Sequence, residues 1–402
     1  MLHKKQSTRV LAQKVKTKEH KTRSSMRQPI ERYNFDKNVD YHYGEFPPTA
    51  INYEQLFEPM ADACAALARY DQTLRGLHNS EFLVTPLRGQ EAVVSSRMEG
   101  TISTIDEVLR YEADSEDDST PKDHRLDTIE VVLYAAALRR AQAQVLEGYP
   151  IGEHLIRSAH GTLLGIGRGA SKSPGEYKTE QNYIGDDARR EIYFTPISPE
   201  QLGPAMGRLV DFINDGNIAP LLSIALAHVE FEALHPFNDG NGRIGRMLIT
   251  LSLWKKKLIE QPHFYISAFF EDNKPEYIER MRAVSASGDW TGWCDFFFKA
   301  VSAQAEQNLE TAQAIMALYE EMKDVFRNRL NSQWAQMAQD YIFKNPIFRN
   351  GRFTGRSGIP RATATRISRA LVDAGLLIEI EPASGRRSAL YAFEPLIRIV
   401  RR

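Results

Sequence analysis

The sequence predicts a mainly α-helical protein that carries two short β-rich insertions. Three observations predict it. Apolar residues recur three and four apart over most of the stretch from residue 53 to 330, as in helices that bury one face. Two β-prone runs flank a polar turn between residues 184 and 195, which reads as a hairpin. From about residue 334 the pattern changes to short helical stretches followed by two more β-prone runs.

Composition sets the bounds. The chain has 402 residues, enough for two or three domains, with 42% hydrophobic and 26% charged residues, as in soluble globular proteins. The net charge of -1 excludes a polyelectrolyte. Cys64 and Cys294, far apart, suggest neither a disulfide framework nor a zinc site and fit a reducing compartment. No apolar run reaches membrane-span length, and the N-terminus lacks the apolar core of a secretion signal. The expectation is a cytoplasmic protein without membrane contact.

Taken in order, residues 1–28 set nine basic side chains against Glu19 alone and read as a disordered basic tail, with Met26 as an alternative start. Residues 29–48 hold no clear pattern and read as an extended arm that wraps the surface. Leu56, Met60, Cys64, Leu67, Tyr70 and Leu74 mark a helix over Tyr53–Leu77. Glu91–Glu99 can form another, with Gly100 at its boundary. The arm and these helices make an N-terminal region, residues 29–125. Residues 111–124 are acidic and rich in turn formers, which predicts a flexible link. Helices follow near 126–147 and 153–164. His154 and His160, six apart, miss the i, i+4 spacing of a metal pair and read as packing or surface. After the hairpin, helices are expected over 201–214, on both sides of residues 235–240, after Asn273 and over 290–330. Residues 126–330 thus form the central domain, and 334–402 a separate one.

The informative stretch is His235-Pro-Phe-Asn-Asp-Gly-Asn-Gly-Arg-Ile-Gly-Arg246. It links two helical patterns, and Gly-Asn-Gly opens the second. A helix start offers free N–H groups and the positive end of a dipole, so it cradles phosphate. Gly240 and Gly242 let a ligand approach. Arg243 and Arg246 suit phosphate oxygens. Asp239 can hold magnesium together with substrate phosphates. His235 is placed to take a proton from an attacking hydroxyl. The parts describe nucleotide transfer.

This segment resembles the signature of Fic-domain proteins, His-x-Phe-x-(Asp/Glu)-Gly-Asn-Gly-Arg-x-x-Arg, at every defined position. The resemblance implies a Fic helical core with a β-hairpin flap. It also implies an adenylyltransferase that moves AMP from ATP, with magnesium or manganese, to a Tyr, Thr or Ser hydroxyl of a target protein. In that reading His235 is the general base and Asp239 the metal ligand. Asn238, Gly240, Asn241 and Gly242 form the phosphate turn, with Arg243 and Arg246 as its grips. Ser95-x-x-x-Glu99-Gly100 is similar to the family's inhibitory motif, which implies that Glu99 pairs with Arg246. Gln181-Asn182-Tyr183-Ile184-Gly185 is similar to the family's flap. Its open edge would add a target strand, clamped by Ile184 and Tyr193. An Asn-Lys-x-x-Tyr-like segment places Asn273 and Tyr277 beside the adenine, while an N-cap role for Asn273 stays open. The segment 334–402 resembles a winged helix-turn-helix. Six arginines and no acid between Arg349 and Arg369 leave DNA contact and protein contact both open. A homodimer is also open. Two alternatives stand beside transfer: removal of AMP at the same site, and a DNA-binding regulator that uses the core as a nucleotide sensor.

Overall fold

The computed structural model describes residues 29–75, 81–115 and 125–401. The basic tail 1–28 and most of the acidic link, 116–124, lie outside the described residues. The chain runs β1 (Val39–Asp40), α1 (Tyr53–Arg75), α2 (Glu81–Met98), α3 (Ile105–Ser115), α4 (Leu126–Leu146), α5 (Glu153–Leu163), β2 (Ile184–Asp186) and β3 (Glu191–Thr195). Next come α6 (Pro199–Asn214), α7 (Pro220–Leu234), α8 (Asn241–Lys255), α9 (Ser267–Asp272), α10 (Lys274–Ser287) and α11 (Trp290–Leu330). The last elements are α12 (Ala335–Lys344), β4 (Ile347–Arg349), α13 (Asn350–Arg356), α14 (Arg361–Asp373), β5 (Ile378–Glu381), β6 (Leu390–Ala392) and α15 (Glu394–Val400). The fold is mainly helical with two small sheets, as the sequence predicts.

Helices α7 and α8 lie at the centre, and almost every side chain on them is buried. Such all-round apolarity belongs to a helix with neighbours on every side. Helix α11 runs past them, and its Trp293 Nε1 donates to the Ala225 carbonyl of α7 at 2.8 Å. The Asp289 side chain caps α11, accepting from Gly292 N at 2.9 Å.

Two expectations are corrected. The arm 29–48 does not merely skirt the surface: Tyr33, Tyr41, His42 and Phe46 are buried. Its Tyr41 hydroxyl donates to Glu230 Oε1 at 2.7 Å, and His42 Nε2 meets Glu230 Oε2 at 2.8 Å. Glu230 of α7 thus helps to fix a segment that has no periodicity to betray it. The acidic stretch is also not link throughout, because Tyr111–Ser115 completes α3.

The hairpin forms as expected, with one addition. The arm's β1 pairs in parallel with β3, giving the order β1-β3-β2. Strand β3 is therefore paired on both sides, and β1 and β2 are the edges of this sheet.

In the C-terminal part, β4, β6 and β5 form an antiparallel sheet in that order, with α12 to α15 around it. The expected six-arginine face is not continuous. Arg349 is 1% exposed. It bonds Asp114 of α3 at 2.7 Å, Glu381 at 2.5 Å and the Ser388 carbonyl at 3.0 Å. Arg352 donates to the Glu112 carbonyl at 3.0 Å. These two tie the C-terminal part to α3, while Arg361, Arg366 and Arg369 of α14 stay exposed.

Candidate active site

The site is the loop between α7 and α8. His235 ends α7 in the left-handed region, with φ of 45°, which turns the chain sharply away from the helix axis. Gly240, at φ of 79°, starts α8, and a left-handed turn of this kind favours glycine. Asn241 closes the loop: its Oδ1 accepts from Phe237 N at 2.9 Å, and its Nδ2 donates to Phe237 O at 2.8 Å. With both ends of its amide in use, Asn241 shapes the turn rather than reaching outward.

Phe237 is fully buried and stacks on His160 of α5, with ring centres 3.7 Å apart. His160 Nδ1 accepts from Gly175 N at 2.9 Å, so its Nε2–H donates to the Asp239 carbonyl at 2.9 Å. Burial pushes the His160 pKa down to about 4, so the ring is neutral in this role. From sequence this histidine looked like packing or surface; it is a strut of the loop.

Lys178 and Asn182 precede the flap and are also struts. Lys178 Nζ donates to Asn182 Oδ1 at 2.7 Å and to Leu234 O at 3.1 Å. Asn182 Nδ2 donates to His235 O at 3.0 Å and Phe237 O at 3.1 Å. Burial lowers the Lys178 pKa to about 7. His235 is likewise held down at about 4, by burial first and then by Lys178, with the Glu232 backbone and Glu99 pulling the other way. Its imidazole is therefore neutral near pH 7.

Above the start of α8 sits Glu99. Helix α2 ends in a Schellman arrangement: Gly100 N donates to Arg97 O at 2.9 Å and Thr101 N to Ser96 O at 3.1 Å, with Gly100 at φ of 86°. That leaves Glu99 as the C-cap, where a carboxylate opposes the helix dipole. Arg246 offsets this, donating to Glu99 Oε1 at 2.8 Å. Arg246 also donates to Ser95 Oγ at 2.9 Å and Ser95 O at 2.8 Å. Burial alone would raise the Glu99 pKa, but Arg246, with Arg243 and Lys274 behind it, holds it below the usual carboxylate range. A Cβ on Gly242 would stand 2.3 Å from Glu99 Oε1 and 2.8 Å from Arg246 Nη1. An anionic oxygen thus rests on the first turn of α8.

The remaining expected residues divide. Asp239 is partly exposed, with Arg243 Nη2 at 3.3 Å from its Oδ1, and Asn238 is half-buried in the loop. Among the described residues no three His, Cys, Asp or Glu gather to hold a metal. A lone Asp239 fits only a metal that takes most of its ligands from phosphates and water. Asn273 makes no N-cap bond; its Nδ2 donates to Phe269 O at 2.9 Å. Tyr277 is buried, stacked on Phe270 at 4.3 Å, with His228 Nε2 at 2.9 Å from its hydroxyl. It lines the inner side of Arg246 and does not face solvent. Ile184 opens β2 and Tyr193 lies on β3, its hydroxyl donating to Glu191 at 2.7 Å. Sequence reasoning passed over Glu232, one helical turn before His235. Burial raises its pKa to about 8, against Arg246, so it is largely protonated near pH 7.

Comparison with known proteins agrees with this geometry. The Fic/DOC family N-terminal region matches residues 57–143, and the Fic/DOC family region matches residues 150–253. Protein adenylyltransferase fic-1 of Caenorhabditis elegans is 34% identical over 131 residues, which are 31% of this chain and 24% of that protein. Its Caenorhabditis briggsae counterpart of the same name is 32% identical over 131 residues, with the same coverage. The match thus spans about a quarter of each nematode protein's length. A crystal structure of a Fic family protein from Desulfovibrio desulfuricans aligns over 86% of this chain and 98% of that one, with a TM-score of 0.53 and 20% identity, a likeness of fold. The first family match covers the helix that presents Glu99 and the second the His235 loop, so residues 57–143 and 150–253 carry the two Fic/DOC family regions.

Proposed function

We propose that the chain is a protein adenylyltransferase held inactive by Glu99. The observation that carries the reading is the anionic Glu99 oxygen resting on the N-terminal turn of α8, six residues after a neutral His235. A site that holds a carboxylate there is built for an anion, and a triphosphate is the anion that two arginines and a helix start fit best. Withdrawal of Glu99 frees Arg246 and the first amides of α8 for the phosphates of ATP. Arg243 grips them from the same helix. Asp239, with those phosphates, would hold magnesium or manganese, which supplies positive charge to the phosphate oxygens.

The target segment adds to the open edge of β2, Ile184–Asp186, with Ile184 and Tyr193 as its clamp. This aligns a Tyr, Thr or Ser hydroxyl with His235. The imidazole takes the hydroxyl proton, the oxygen bonds to the α-phosphorus, and the bond to pyrophosphate breaks. Bound phosphates favour the imidazolium that forms. Asn273 and Tyr277 stand on the adenine side, Tyr277 once it turns from His228. The matched relatives are named adenylyltransferases, which favours transfer over removal of AMP and over nucleotide sensing.

A second reading concerns the C-terminal part. The exposed Arg361, Arg366 and Arg369 give α14 a basic outer face, which fits duplex DNA. Binding that weakens with salt and with loss of these arginines supports it.

ATP labelled at the α-phosphate tests the main reading. With magnesium it labels the protein weakly, strongly after Glu99→Gly, and not after a further His235→Ala. ATP labelled at the γ-phosphate leaves no label. Equal labelling from both, or none after Glu99→Gly, overturns the reading.

A further inference from the structure

The end of α7 raises a problem that the transfer chemistry does not address. The last carbonyls of a helix have no partner within it and carry the negative end of its dipole. Here the carbonyls of four consecutive residues, Leu234 to Phe237, lead into the loop that bears the base. All four accept hydrogen bonds from two residues of one other segment. Lys178 N donates to Pro236 O at 2.8 Å, Lys178 Nζ to Leu234 O at 3.1 Å, and Asn182 Nδ2 to His235 O and Phe237 O at 3.0 and 3.1 Å. Lys178 Nζ also donates to Asn182 Oδ1 at 2.7 Å, so the two side chains orient each other. Both are buried, Lys178 at 3% and Asn182 at 7% exposure. Two residues beyond Asn182 the chain becomes β2, the open edge of the flap.

We propose, resting on the transferase reading above, that Lys178 and Asn182 are positioning residues for the transfer: they fasten the carbonyls that end α7 and so fix the His235 imidazole relative to the strand that docks the target. The base and the target's docking edge then belong to one rigid piece, and a hydroxyl registered on β2 arrives at a defined distance from the imidazole. Lys178 also brings a charge to the site. The other groups that bear on His235 are Glu99 from the end of α2 and Glu232, one turn back on α7, which burial holds largely protonated. The lysine favours the neutral imidazole and Glu99 the protonated one. Once Glu99 leaves, Lys178 is the flap-side charge that keeps the base free.

The test uses the full chain carrying Glu99→Gly, with Lys178→Met, Lys178→Arg and Asn182→Ala added singly. Lys178→Met lowers kcat by about a hundredfold, as expected when a base is misplaced, and leaves KM for ATP nearly unchanged. It also moves the acid limb of the rate profile to higher pH. Lys178→Arg keeps the charge and the limb. Asn182→Ala lowers kcat without moving the limb. Imidazole NMR on the same proteins reads the His235 pKa without any turnover: it rises by about one unit in Lys178→Met, the size a close charge produces, and stays in the other two. If Lys178→Met keeps its kcat, or if its His235 pKa matches that of Lys178→Arg, the proposal is overturned. Should the Glu99→Gly parent itself fail to label, the transferase reading fails instead, while the NMR comparison still decides the Lys178 assignment. If Lys178→Met does not fold, Asn182→Ala decides: an unchanged kcat overturns the proposal.

Discussion

Two arginines are buried against carboxylates at the C-terminal ends of α2 and α3, and they are built differently. Arg349 is 1% exposed and its partner Asp114 6%. Each arginine has three acceptors, but Asp114 has both oxygens taken, by Arg349 at 2.7 Å and Arg387 at 2.5 Å. Arg246 is equally buried at 2%, but its partner Glu99 is 24% exposed and bonds it through one oxygen. Asp114 lies within a helix. Glu99 is a helix cap followed by a left-handed glycine. The same pair of charges thus makes a closed joint in one place and, in the proposed reading, an exchangeable plug in the other. The difference lies in how many bonds must break together and whether the carboxylate has somewhere to go.

The sharpest way to break the comparison is at the site. His235→Ala in a Glu99→Gly background removes the base and lowers transfer by about 10²- to 10⁴-fold, the usual worth of a general base, with the melting temperature nearly unchanged. Glu99→Gly alone raises self-labelling by about tenfold or more, since an equilibrium is moved tenfold by only about 1.4 kcal/mol. Asp114→Ala leaves Arg349 only Glu381 and the Ser388 carbonyl and costs up to about 3 kcal/mol of stability, the lower end for a buried pair broken on one side. Denaturant melts should show that loss, and a much smaller one for Glu99→Gly. Equal losses would erase the distinction.

The last effect expected is on pH. His160, His228, His235 and His263 have pKa values pushed by burial to about 4, 3, 4 and 4. The unfolded chain therefore binds more protons than the folded one below the usual histidine value of about 6.5. Stability is full above that value and declines as pH falls from there towards 4. Glu99 is held below the usual carboxylate range, chiefly by Arg246 against burial, so acid loosens the core before it frees the plug. Melting temperatures at a series of pH values check the order.

Much of this was legible in the sequence, for reasons of range. Residues 235–246 bring their chemistry together within one turn of chain, so their spacing alone reports it. Helix α11 was legible from end to end because its apolar stripe never breaks. The struts were not. His160, Lys178 and Asn182 are single polar residues whose partners lie 53 to 79 positions away, and no local period marks them. Asn182 lay inside the run similar to the family's flap, but that likeness assigned it no partner. Arg349 misled because the charge of a segment does not say which side chains turn inward. Glu232 looked like any helix-surface acid until burial was known.

The central claim is that the first turn of α8 is a polyphosphate site occupied by Glu99. A crystal structure of the Glu99→Gly protein grown with ATP and magnesium tests it most directly. The account predicts phosphate oxygens on the amides of Gly240 to Gly242 and on Arg246, where the Glu99 carboxylate now rests. A nucleotide bound elsewhere, with that turn vacant and Arg246 still on Ser95, would contradict it.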